Sequence, residues 1–545
     1  MAAGVGLVSG TAHAADPVAP ATRAVSAPTV DLGKAKAANA QTFSSAADRT
    51  VRTPLPAGKG KSAAAQARAA EGNPDLGIHL NASAHSAHGL DLVTDITSGA
   101  APLTVTVDWG DGTKAEAQAS GSTQLKHSHA YAELGDYKVT VTVVDTANQV
   151  QAANDVLIRT VGSDFVAHAP TRLLDTRSGT GAARAKVGGR SSAQVKIKGV
   201  AGIPDENITA VALNVTVTNT VEAGHITAYP KGGAVPTTSN LNYEAGQSVP
   251  NMVIVPVSTD GYVELFNGGW APVDLIADVT GYFTRSSAAG YTSLAPSRFV
   301  DTREGLGTSK GQVSGYGSFG VQIADRGSVP KGATAVALNV TVTNPQEAGH
   351  VTVFPSGQSA PTTSSVNFGA GQTIANSVIV PVGADGKISI RNGSWKGTDV
   401  IVDVVGYYSP DSKAAYMPLT PHRWLDTRLI EWKGGPVPSR GYMHMAISPD
   451  EQGIEGYVLN TTVTNTVSPG FLSVAPDPNT LDQYKNGTAV WPERPVSSVL
   501  NWTAFKTVPN LVQASSGEHG VIDLWNQSYN NVDLIVDMFG YYESK

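Results

Sequence analysis

The chain has 545 residues, a length that indicates several domains rather than one hydrophobic core. Its 57 glycines and 32 prolines, with only 15% charged residues, are typical of turn-rich all-β modules rather than helical enzymes. The net charge of −7 argues against nucleic acid as a partner, and the absence of cysteine excludes disulfides, cysteine-ligated zinc and cysteine nucleophiles.

The N-terminal region predicts export followed by a flexible linker. Residues 1–14 are small and apolar and end in an Ala-His-Ala cleavage pattern, so we interpret them as the remnant of a truncated signal peptide. An alanine-rich flexible tail is the alternative interpretation. Residues 15–72 carry too little apolar surface to offset the entropy of ordering, so a disordered linker is expected there. No later segment is long and apolar enough to span a membrane.

Residues 73–162 have the alternating apolar pattern of short β-strands. The sequences WGDGT at 109–113 and HAY at 129–131, followed by GDY, make this segment similar to the PKD (polycystic kidney disease) domain. The resemblance implies an immunoglobulin-like β-sandwich that acts as a spacer or binding accessory in secreted proteins, and it gives His129 a structural role. Although His127 and His129 have a spacing compatible with a metal ion, no metal site is therefore predicted.

One sequence unit is repeated three times after residue 162. Its first motif, Arg-x-x-Asp-Thr-Arg, returns after 126 residues and again after 125, and the same series of short strands and Gly/Asn turns follows it each time. That length is a complete domain, so we expect three β-sandwiches in tandem, each with its own core. They are repeat 1 (163–285), repeat 2 (290–409) and repeat 3 (415–545).

The three repeats resemble "LDTR"-type repeats of secreted, cell-wall-associated proteins of high-GC Gram-positive bacteria. Such repeats often lie beside hydrolase domains, and no hydrolase domain is recognisable in this sequence. The predicted fold class is all-β, with one immunoglobulin-like sandwich and three homologous sandwiches after a disordered tether. The predicted location is extracellular, with attachment to the cell wall as one option.

Each repeat carries a charged group that we interpret as a clasp between its first and last strands. The opening motif supplies two arginines and one aspartate, and the strand before a Gly-Tyr pair supplies another aspartate. Arg177 is expected to pair with Asp278, because a planar guanidinium suits a bidentate, partly buried ion pair. The predicted clasp residues are Arg172, Asp175, Arg177 and Asp278 in repeat 1, Arg298, Asp301, Arg303 and Asp403 in repeat 2, and Arg423, Asp426, Arg428 and Asp537 in repeat 3.

A catalytic use of these carboxylates is the alternative to a clasp. Asp274 lies four residues before Asp278, but four residues of strand span about 13 Å, more than the roughly 5 to 10 Å used in glycoside hydrolysis. Asp175 could still approach Asp278 from another strand. Because three copies of a catalytic pair in one chain would be unusual, no catalytic residue is predicted.

The strand sequence LNVTVTN places Asn214, Thr216 and Thr218 on one face and apolar side chains on the other, and the same polar stripe recurs in repeats 2 and 3. A flat Asn/Thr surface suits hydrogen bonding to a sugar or to a neighbouring module. It also suits a solvated sheet face with good strand propensity, and that is the interpretation we favour.

Repeat 3 differs most from the others and is the predicted ligand site. It holds five of the eight tryptophans, and 24 residues separate Pro476 from Asn501 where 11 separate Pro230 from Asn242 in repeat 1. Loop aromatics beside polar groups are suited to stack on a sugar ring or a peptide, although they also pack beneath their own loops. The predicted ligand-binding residues are Trp432, Tyr484, Trp491 and Arg494.

The sequence therefore predicts a secreted, non-enzymatic surface protein without cofactor or metal that binds or presents at the cell wall or extracellular glycans. Its expected partner is a glycan, a cell-wall polymer or another extracellular protein, and neither nucleic acid nor a membrane span is expected. Two alternatives stay open: a structural protein that docks on other protein subunits, and a glycan-acting enzyme with an unrecognised carboxylate site.

Overall fold

The computed structural model describes residues 24–26, 32–55, 72–99, 102–429, 434–449 and 451–544. These residues form eight β-sheets and two short α-helices, so the all-β class predicted from the sequence is confirmed. No helix within these ranges is long and apolar enough to cross a membrane.

The N-terminal sandwich comprises residues 41–159 and packs a four-stranded sheet against a five-stranded sheet. Strand β1 (Ala24–Ser26) and helix α1 (Leu32–Asn39) precede it. Its strands are β2 (Gln41–Ser45), β3 (Val51–Pro54), β4 (Gly77–Ala84), β5 (Gly89–Thr97), β6 (Leu103–Asp108), β7 (Lys114–Ala119), β8 (Thr123–Ala130), β9 (Asp136–Asp145) and β10 (Val150–Arg159). The sheet orders are β2-β4-β5-β8 and β3-β10-β9-β6-β7.

Strands β2 and β3 come from the segment that the sequence predicted to be a disordered linker. They pair with β4 and β10 and so extend both sheets of the N-terminal sandwich, while Leu32 of α1 is buried and Phe43 of β2 packs against the core. The prediction of disorder is therefore wrong for residues 32–55, because pairing along a sheet edge orders a backbone whose own side chains bury little. Residues 1–23, 27–31 and 56–71, including the predicted signal-peptide remnant, lie outside the described residues.

Each repeat folds as two packed sheets, which we call its inner and outer sheet. Repeat 1 contains β11 (Asp164–Asp175), β12 (Ser191–Lys196), β13 (Ile208–Thr218), β14 (Gly224–Pro230), β15 (Leu241–Tyr243), β16 (Val249–Pro256), β17 (Tyr262–Asn267) and β18 (Asp274–Thr284). The inner sheet has the order β11-β18-β13-β16 and the outer sheet the order β12-β17-β14-β15.

Repeats 2 and 3 keep this topology. Repeat 2 contains β19 (Gly290–Asp301), β20 (Ser318–Gln322), β21 (Ala335–Thr343), β22 (Gly349–Pro355), β23 (Val366–Phe368), β24 (Ile374–Pro381), β25 (Lys387–Asn392) and β26 (Asp399–Ser409). Repeat 3 contains β27 (Ala415–Asp426), β28 (Tyr442–Ala446), β29 (Ile454–Thr464), β30 (Gly470–Pro476), helix α2 (Leu481–Asn486), β31 (Leu500–Trp502), β32 (Val508–Ser515), β33 (Val521–Asn526) and β34 (Asp533–Glu543). Strand β1 adds a fifth strand to the outer sheet of repeat 3, parallel to β28.

Both faces of each inner sheet are buried, and strand β13 shows how. Val211, Leu213 and Val215 point into the core between the two sheets of repeat 1. Ala210 and Ala212 alternate with them, so they point the other way, into a second apolar cluster that repeats 2 and 3 share. The repeats are therefore joined through their inner sheets.

This second cluster, which we call the central core, draws residues from all three repeats. Ring stacking crosses the repeat boundaries, with Phe165 against Tyr408 at 4.2 Å and Tyr291 against Tyr542 at 4.1 Å between ring centroids. The buried hydroxyl groups of Tyr408 and Tyr542 lie 2.7 Å apart. Its buried members are Phe165, Ala210, Ala212, Met252, Ile254, Phe283, Ala289, Tyr291, Ala335, Ala337, Ile379, Val405, Tyr408, Ala414, Tyr416, Val458, Leu511, Phe539 and Tyr542.

The glycine of each repeated Gly-Tyr pair makes room for a central-core ring. A Cβ atom on Gly406 would lie 2.1 Å from the Tyr291 hydroxyl oxygen, and one on Gly540 would lie 2.4 Å from the Tyr416 ring. Gly281 lies in the same way against Phe165. In each repeat the glycine thus leaves space for a ring of the same repeat that enters the central core.

Backbone bridges at the starts of the three repeats close them into a ring. The bridged pairs are Phe165–Ala289, Tyr291–Ala414 and Ser163–Tyr416, which connect repeats 1 and 2, repeats 2 and 3, and repeats 1 and 3. Because the third bridge joins the first repeat to the last, the assembly has no free terminal repeat.

Six buried asparagines, which we call the asparagine ring, also join the repeats: Asn214, Asn251, Asn339, Asn376, Asn460 and Asn510. Between repeats 1 and 2, Asn376 donates to the Asn214 side chain at 3.0 Å and accepts from the backbone N–H of Met252 at 3.3 Å, while Asn214 donates to the Ser364 carbonyl at 2.5 Å. Equivalent bonds link repeats 2 and 3, and repeats 3 and 1.

The asparagine ring corrects two expectations from the sequence. The Asn/Thr stripe is not a solvated face, because Asn214 and Thr216 are buried and Asn214 donates to Ser364 of the neighbouring repeat. The sequence also predicted that each repeat has only its own core. In the structure the inner sheets of the three repeats share the central core as well. Alternating polar residues predict a polar environment, and a neighbouring sheet with hydrogen-bonding groups supplies one as well as water does.

We expect Asn376→Ala to lower the free energy of unfolding by about 1 to 3 kcal/mol, because it leaves the Asn214 oxygen and the Met252 N–H buried without partners. Urea titration of the full chain measures the change. Asn251→Ala and Asn510→Ala should cost a similar amount, whereas Asn486→Ala, at an exposed position, should cost little. Equal stability of Asn376→Ala and wild type would contradict a stabilising role for the ring.

Candidate functional site

The repeated Arg-x-x-Asp-Thr-Arg motif is positioned by a β-bulge in the first strand of each repeat. In β11, Arg172 lies opposite Asp278 and Leu174 lies opposite Ala277, so Leu173 is an extra residue in the strand. The same bulge occurs in β19 and β27. Because the bulge shifts the alternation by one residue, Arg172 and Asp175 reach the same face of the sheet.

Arg172 rather than Arg177 pairs with Asp278. Its Nε and Nη2 donate to the two carboxylate oxygens at 2.8 and 3.2 Å, and its Nη1 donates to Asp175 at 3.1 Å. Arg177 instead donates to Asp175 at 2.9 and 2.7 Å. The pairing expected from strict alternation is therefore wrong, and the bulge at Leu173 is the reason.

Repeats 2 and 3 place their charged groups in the same way. Arg298 pairs with Asp403 and Arg423 with Asp537, each through two hydrogen bonds of 2.9 and 3.3 Å. Arg303 pairs with Asp301 and Arg428 with Asp426. In repeats 1 and 2 the first arginine of the motif also donates to a carbonyl of the next repeat, at Thr362 and Val496.

The threonine of the motif has a partner of its own. Thr176 donates to Asp274 at 2.8 Å, and Asn219 donates to the other oxygen of that carboxylate at 2.7 Å. Asn219 has a positive φ of 55°, a conformation that asparagine tolerates better than most residues. The same threonine, aspartate and asparagine contacts recur in repeats 2 and 3.

These carboxylates are poorly suited to acid–base chemistry. Asp278 has a 1% exposed side chain and binds a guanidinium with both oxygens. Burial raises the pKa of Asp278, although Arg172 opposes that shift, whereas the Arg177 guanidinium lowers the pKa of Asp175. Protonation of either carboxylate would leave a guanidinium without its counter-ion.

In the N-terminal sandwich the predicted His129 packs in an aromatic stack. Its ring lies 4.7 Å from that of Trp109, nearly parallel, and its Nε2 lies 2.7 Å from the Asp111 carboxylate. Asp111 also accepts from the backbone N–H of Thr113, as expected of aspartate in an Asp-Gly turn. Among the described residues, no group of three or more His, Asp or Glu side chains is arranged to hold a metal ion.

The insertion of repeat 3, residues 477–500, folds over the outer sheet. Helix α2 begins with a capping box between Thr480 and Gln483 and ends at Gly487, which has a left-handed φ of 69°. The helix carries Tyr484, whose ring stacks on His444 of β28 with centroids 3.5 Å apart. The predicted site residue Tyr484 is thus packed against the sheet beneath it.

Trp491 and Arg494, the other predicted ligand residues that are described, lie over Trp525 of β33. The Trp491 ring makes edge contacts with Tyr442 and Trp525 at 5.0 and 6.1 Å, and Arg494 lies over the Trp525 ring at 5.6 Å. Trp525 is fully buried, whereas Trp491 is 47% exposed. Trp432 lies outside the described residues.

Two buried aspartates lie beneath these rings. Asp477 accepts hydrogen bonds from the Tyr484 hydroxyl and from Asn479. Burial, and after it the neighbouring Asp477 carboxylate, raises the pKa of Asp523 above the ordinary aspartate range. Burial lowers the pKa of His444 to about 4, so that imidazole is neutral at physiological pH.

The sequence did not single out Tyr442, His444, Asp477 or Asp523 as site residues. A signal was available in β28, where the sequence YMHMA places aromatic and histidine side chains at alternate positions of an apolar strand. The long-range contact between β28 and the insertion, however, follows from the tertiary structure alone.

Comparison with protein families matches residues 74–161 to the PKD domain. The match confirms the domain expected over residues 73–162, and the stacking of Trp109 with His129 lies inside it. The predicted relation of the three repeats to cell-wall proteins is not tested by this match and stays a prediction.

A search of curated proteins finds no match, and the structural similarities found are weak. A SusE-like protein has a TM-score of 0.11 and 10% identity, with 35% of this chain and 93% of that chain covered. A Sulfolobus Turreted Icosahedral Virus structure has a TM-score of 0.16 and 10% identity, with 70% and 91% covered. PNGF-II has a TM-score of 0.13 and 8% identity, with 93% and 98% covered. At these TM-scores none of the three carries an argument about function.

For the clasp, we expect Arg172→Ala to lower the free energy of unfolding by about 3 kcal/mol, because it leaves the buried Asp278 carboxylate without its counter-ion. Arg177→Ala is the matched control. Its side chain is 43% exposed, so its loss should cost less than about 1 kcal/mol. Chemical denaturation of both variants measures the difference, and equal losses would contradict the assigned pairing.

For the buried acid pair, we expect Asp523→Asn to reduce the loss of stability at alkaline pH. Because the folded-state pKa of Asp523 is raised, its contribution to stability is complete below the unfolded pKa of about 4 and is lost as pH rises toward the folded value. Wild type should lose up to about 1.4 kcal/mol per pH unit through this group. The melting temperatures of wild type and Asp523→Asn, measured from neutral to alkaline pH, test this prediction. Asp482→Asn, at an exposed position, is the control. Parallel pH curves for wild type and Asp523→Asn would refute it.

Proposed function

We propose that the protein is a secreted, non-catalytic surface protein that binds glycan or cell-wall polymer through repeat 3. The PKD domain supports a place outside the cell, since the family resemblance implies a spacer or binding accessory of secreted proteins. The observation that carries the ligand proposal is Trp491, a ring that is 47% exposed and yet held edge-on by Tyr442 and Trp525.

A fixed, exposed indole ring is suited to stack on the apolar face of a sugar ring. Aromatic rings offer a large apolar face at low cost in conformational entropy, and polar groups beside them set the orientation of a ligand. Arg494 supplies such a group next to Trp491, and its position is fixed by a hydrogen bond to the Arg440 carbonyl at 3.0 Å. The described part of the insertion therefore combines a stacking surface with a hydrogen-bond donor.

The geometry of the clasps favours binding over catalysis. An enzyme built on Asp175 and Asp278 needs at least one carboxylate free to accept or deliver a proton. Arg172 contacts both carboxylates, and each is nearly inaccessible to solvent. The clasp residues are accordingly proposed to hold the ends of each repeat together.

The packing of the repeats also disfavours an assembly protein that docks through its repeated faces. The Asn/Thr stripe was the candidate docking surface, and it is buried within the chain against the next repeat. The alanine half of the same face lies in the central core. Neither part of this face is free for another subunit.

We expect Trp491→Ala to weaken retention of the full chain on purified cell wall and on glycan-array ligands by about tenfold, the loss of one stacking contact of about 1.4 kcal/mol. Phe505→Ala is the control, because Phe505 is an 81% exposed aromatic of repeat 3 that belongs to no described cluster. Phe505→Ala should melt at the wild-type temperature, and Trp491→Ala, which loses a half-buried ring, should melt somewhat lower but stay folded at the assay temperature. Wild-type retention of Trp491→Ala would show that this site is wrong.

A further inference from the structure

Each repeat exposes one large aromatic ring at the same place, in the loop that follows the last strand of its outer sheet in chain order. The rings are Trp270, Trp395 and Tyr529, and their exposed fractions are 80%, 73% and 75%. We call them the aromatic platforms. Single exposed apolar residues are common on protein surfaces. An exposed aromatic ring at the equivalent position of all three repeats is less common and indicates a shared role.

The loops that carry the platforms are rigid. A fully buried asparagine lies three residues before each ring, at Asn267, Asn392 and Asn526. In every repeat its side-chain amide donates to three backbone carbonyls at 2.7 to 3.2 Å and accepts the N–H two residues later. The backbone that carries each ring is therefore preorganised, which lowers the entropy cost of ligand binding in the loop.

A strained residue faces each platform from the opposite loop. Arg190, Tyr316 and Arg440 have φ values of 57°, 56° and 54°, a left-handed conformation that non-glycine residues rarely adopt. Glycine would avoid that strain, and none of the three repeats has it there. Strained backbone that holds a particular side chain is a feature of binding and catalytic sites.

Two platforms have a guanidinium group directly beside the ring, and the third has one on the far side of a second aromatic ring. Arg190 lies 5.6 Å from the Trp270 ring, and Arg440 lies 5.5 Å from the Tyr529 ring. In repeat 2 the facing residue is Tyr316, whose ring meets the edge of Trp395 at 4.8 Å, and Arg391 lies over Tyr316 at 5.8 Å. Repeat 2 thus lacks arginine at the equivalent position and supplies the positive charge from β25 instead.

The histidines behind the first two loops support this equivalence. His225 and His350 occupy the same position in β14 and β22, and their rings lie against Gly268 and Gly393 of the two loops. Burial, and after it the nearby guanidinium, lowers the pKa of both histidines, with Arg190 acting on His225 and Arg391 on His350. Both loops therefore have a guanidinium near the equivalent histidine, although the two arginines lie at different sequence positions.

We propose that the three aromatic platforms are equivalent binding sites for an acidic polysaccharide. A sugar ring stacks on the exposed aromatic face, and the adjacent guanidinium pairs with a carboxylate or phosphate of the polymer. The net charge of the chain is −7, so a polyanion gains no general electrostatic attraction and must be recognised at such local sites. These sites do not include Trp491 and extend beyond the function proposed for repeat 3.

Three sites on one closed body make the protein trivalent toward a polymer. The asparagine ring and central core fix the repeats relative to one another. Binding of a polymer at one platform therefore raises the local concentration of its other segments at the remaining two. Linked sites of this kind raise apparent affinity by roughly 100-fold or more over one site. Each platform is therefore expected to contribute little alone and much in combination.

Native affinity electrophoresis of the full chain in gels that contain a soluble polysaccharide tests the proposal. Polygalacturonate supplies sugar rings with carboxylates, phosphomannan supplies sugar rings with phosphates, and dextran supplies neutral rings. We expect retardation by an acidic polymer, a loss of about tenfold in apparent affinity for each of Trp270→Ala, Trp395→Ala and Tyr529→Ala, and a loss of at least about 100-fold for the triple variant. Because the rings are exposed, melting temperatures should not change.

Controls separate this inference from the function proposed for repeat 3. Tyr529→Trp should retain binding, and Phe505→Ala should behave as wild type. Loss of retardation in the triple variant but not in Trp491→Ala supports the platforms and rejects the Trp491 site. Wild-type retardation of the triple variant overturns the platforms, whether or not Trp491→Ala binds. Equal retardation by dextran, or none by either acidic polymer, overturns the acidic ligand.

Discussion

The buried polar and apolar contacts between inner sheets organise the whole three-repeat body. Each inner sheet packs on its own outer sheet with one face and on the other two repeats with the second. The second face is divided, since alanines such as Ala210 and Ala212 enter the central core and Asn214 enters the asparagine ring. A buried asparagine amide needs hydrogen-bond partners, and the cyclic bonds from repeat 1 to 2, 2 to 3 and 3 to 1 supply one to each asparagine.

The clasps connect this closed body to the ends of each repeat. Arg172 binds the first strand to Asp278 of the last strand and also donates to the Thr362 carbonyl of repeat 2. One guanidinium thus acts within a repeat and across a repeat boundary, a use for which its planar set of donors is better suited than an ammonium group. The motif recurs three times because the same junction is formed three times.

Since both faces of each inner sheet are buried, only the outer sheets and their loops are accessible to a ligand. Repeats 1 and 2 leave the outward face of the outer sheet partly exposed, as at Tyr262 and Glu264. In repeat 3 the insertion covers the equivalent strand β33, all of whose residues are buried. The covered sheet fixes Trp491 from below, while the platform loops hold Trp270, Trp395 and Tyr529 at equivalent places around the body.

The sequence by itself determined the β-class, the PKD domain and the presence of three related sandwiches, because strand periodicity, turn residues and internal repetition are local signals. It located the residues of the clasps but misassigned the partner of Asp278, since a bulge of one residue at Leu173 leaves no mark in the alternation of a short motif. It did not single out the platform residues, because an aromatic residue in a turn has the same local sequence pattern whether it is buried or exposed. Only the tertiary structure decided what lies opposite Asn214. The asparagines of such a stripe find hydrogen-bond partners in water or in another sheet, and their partners here lie 150 or more positions away.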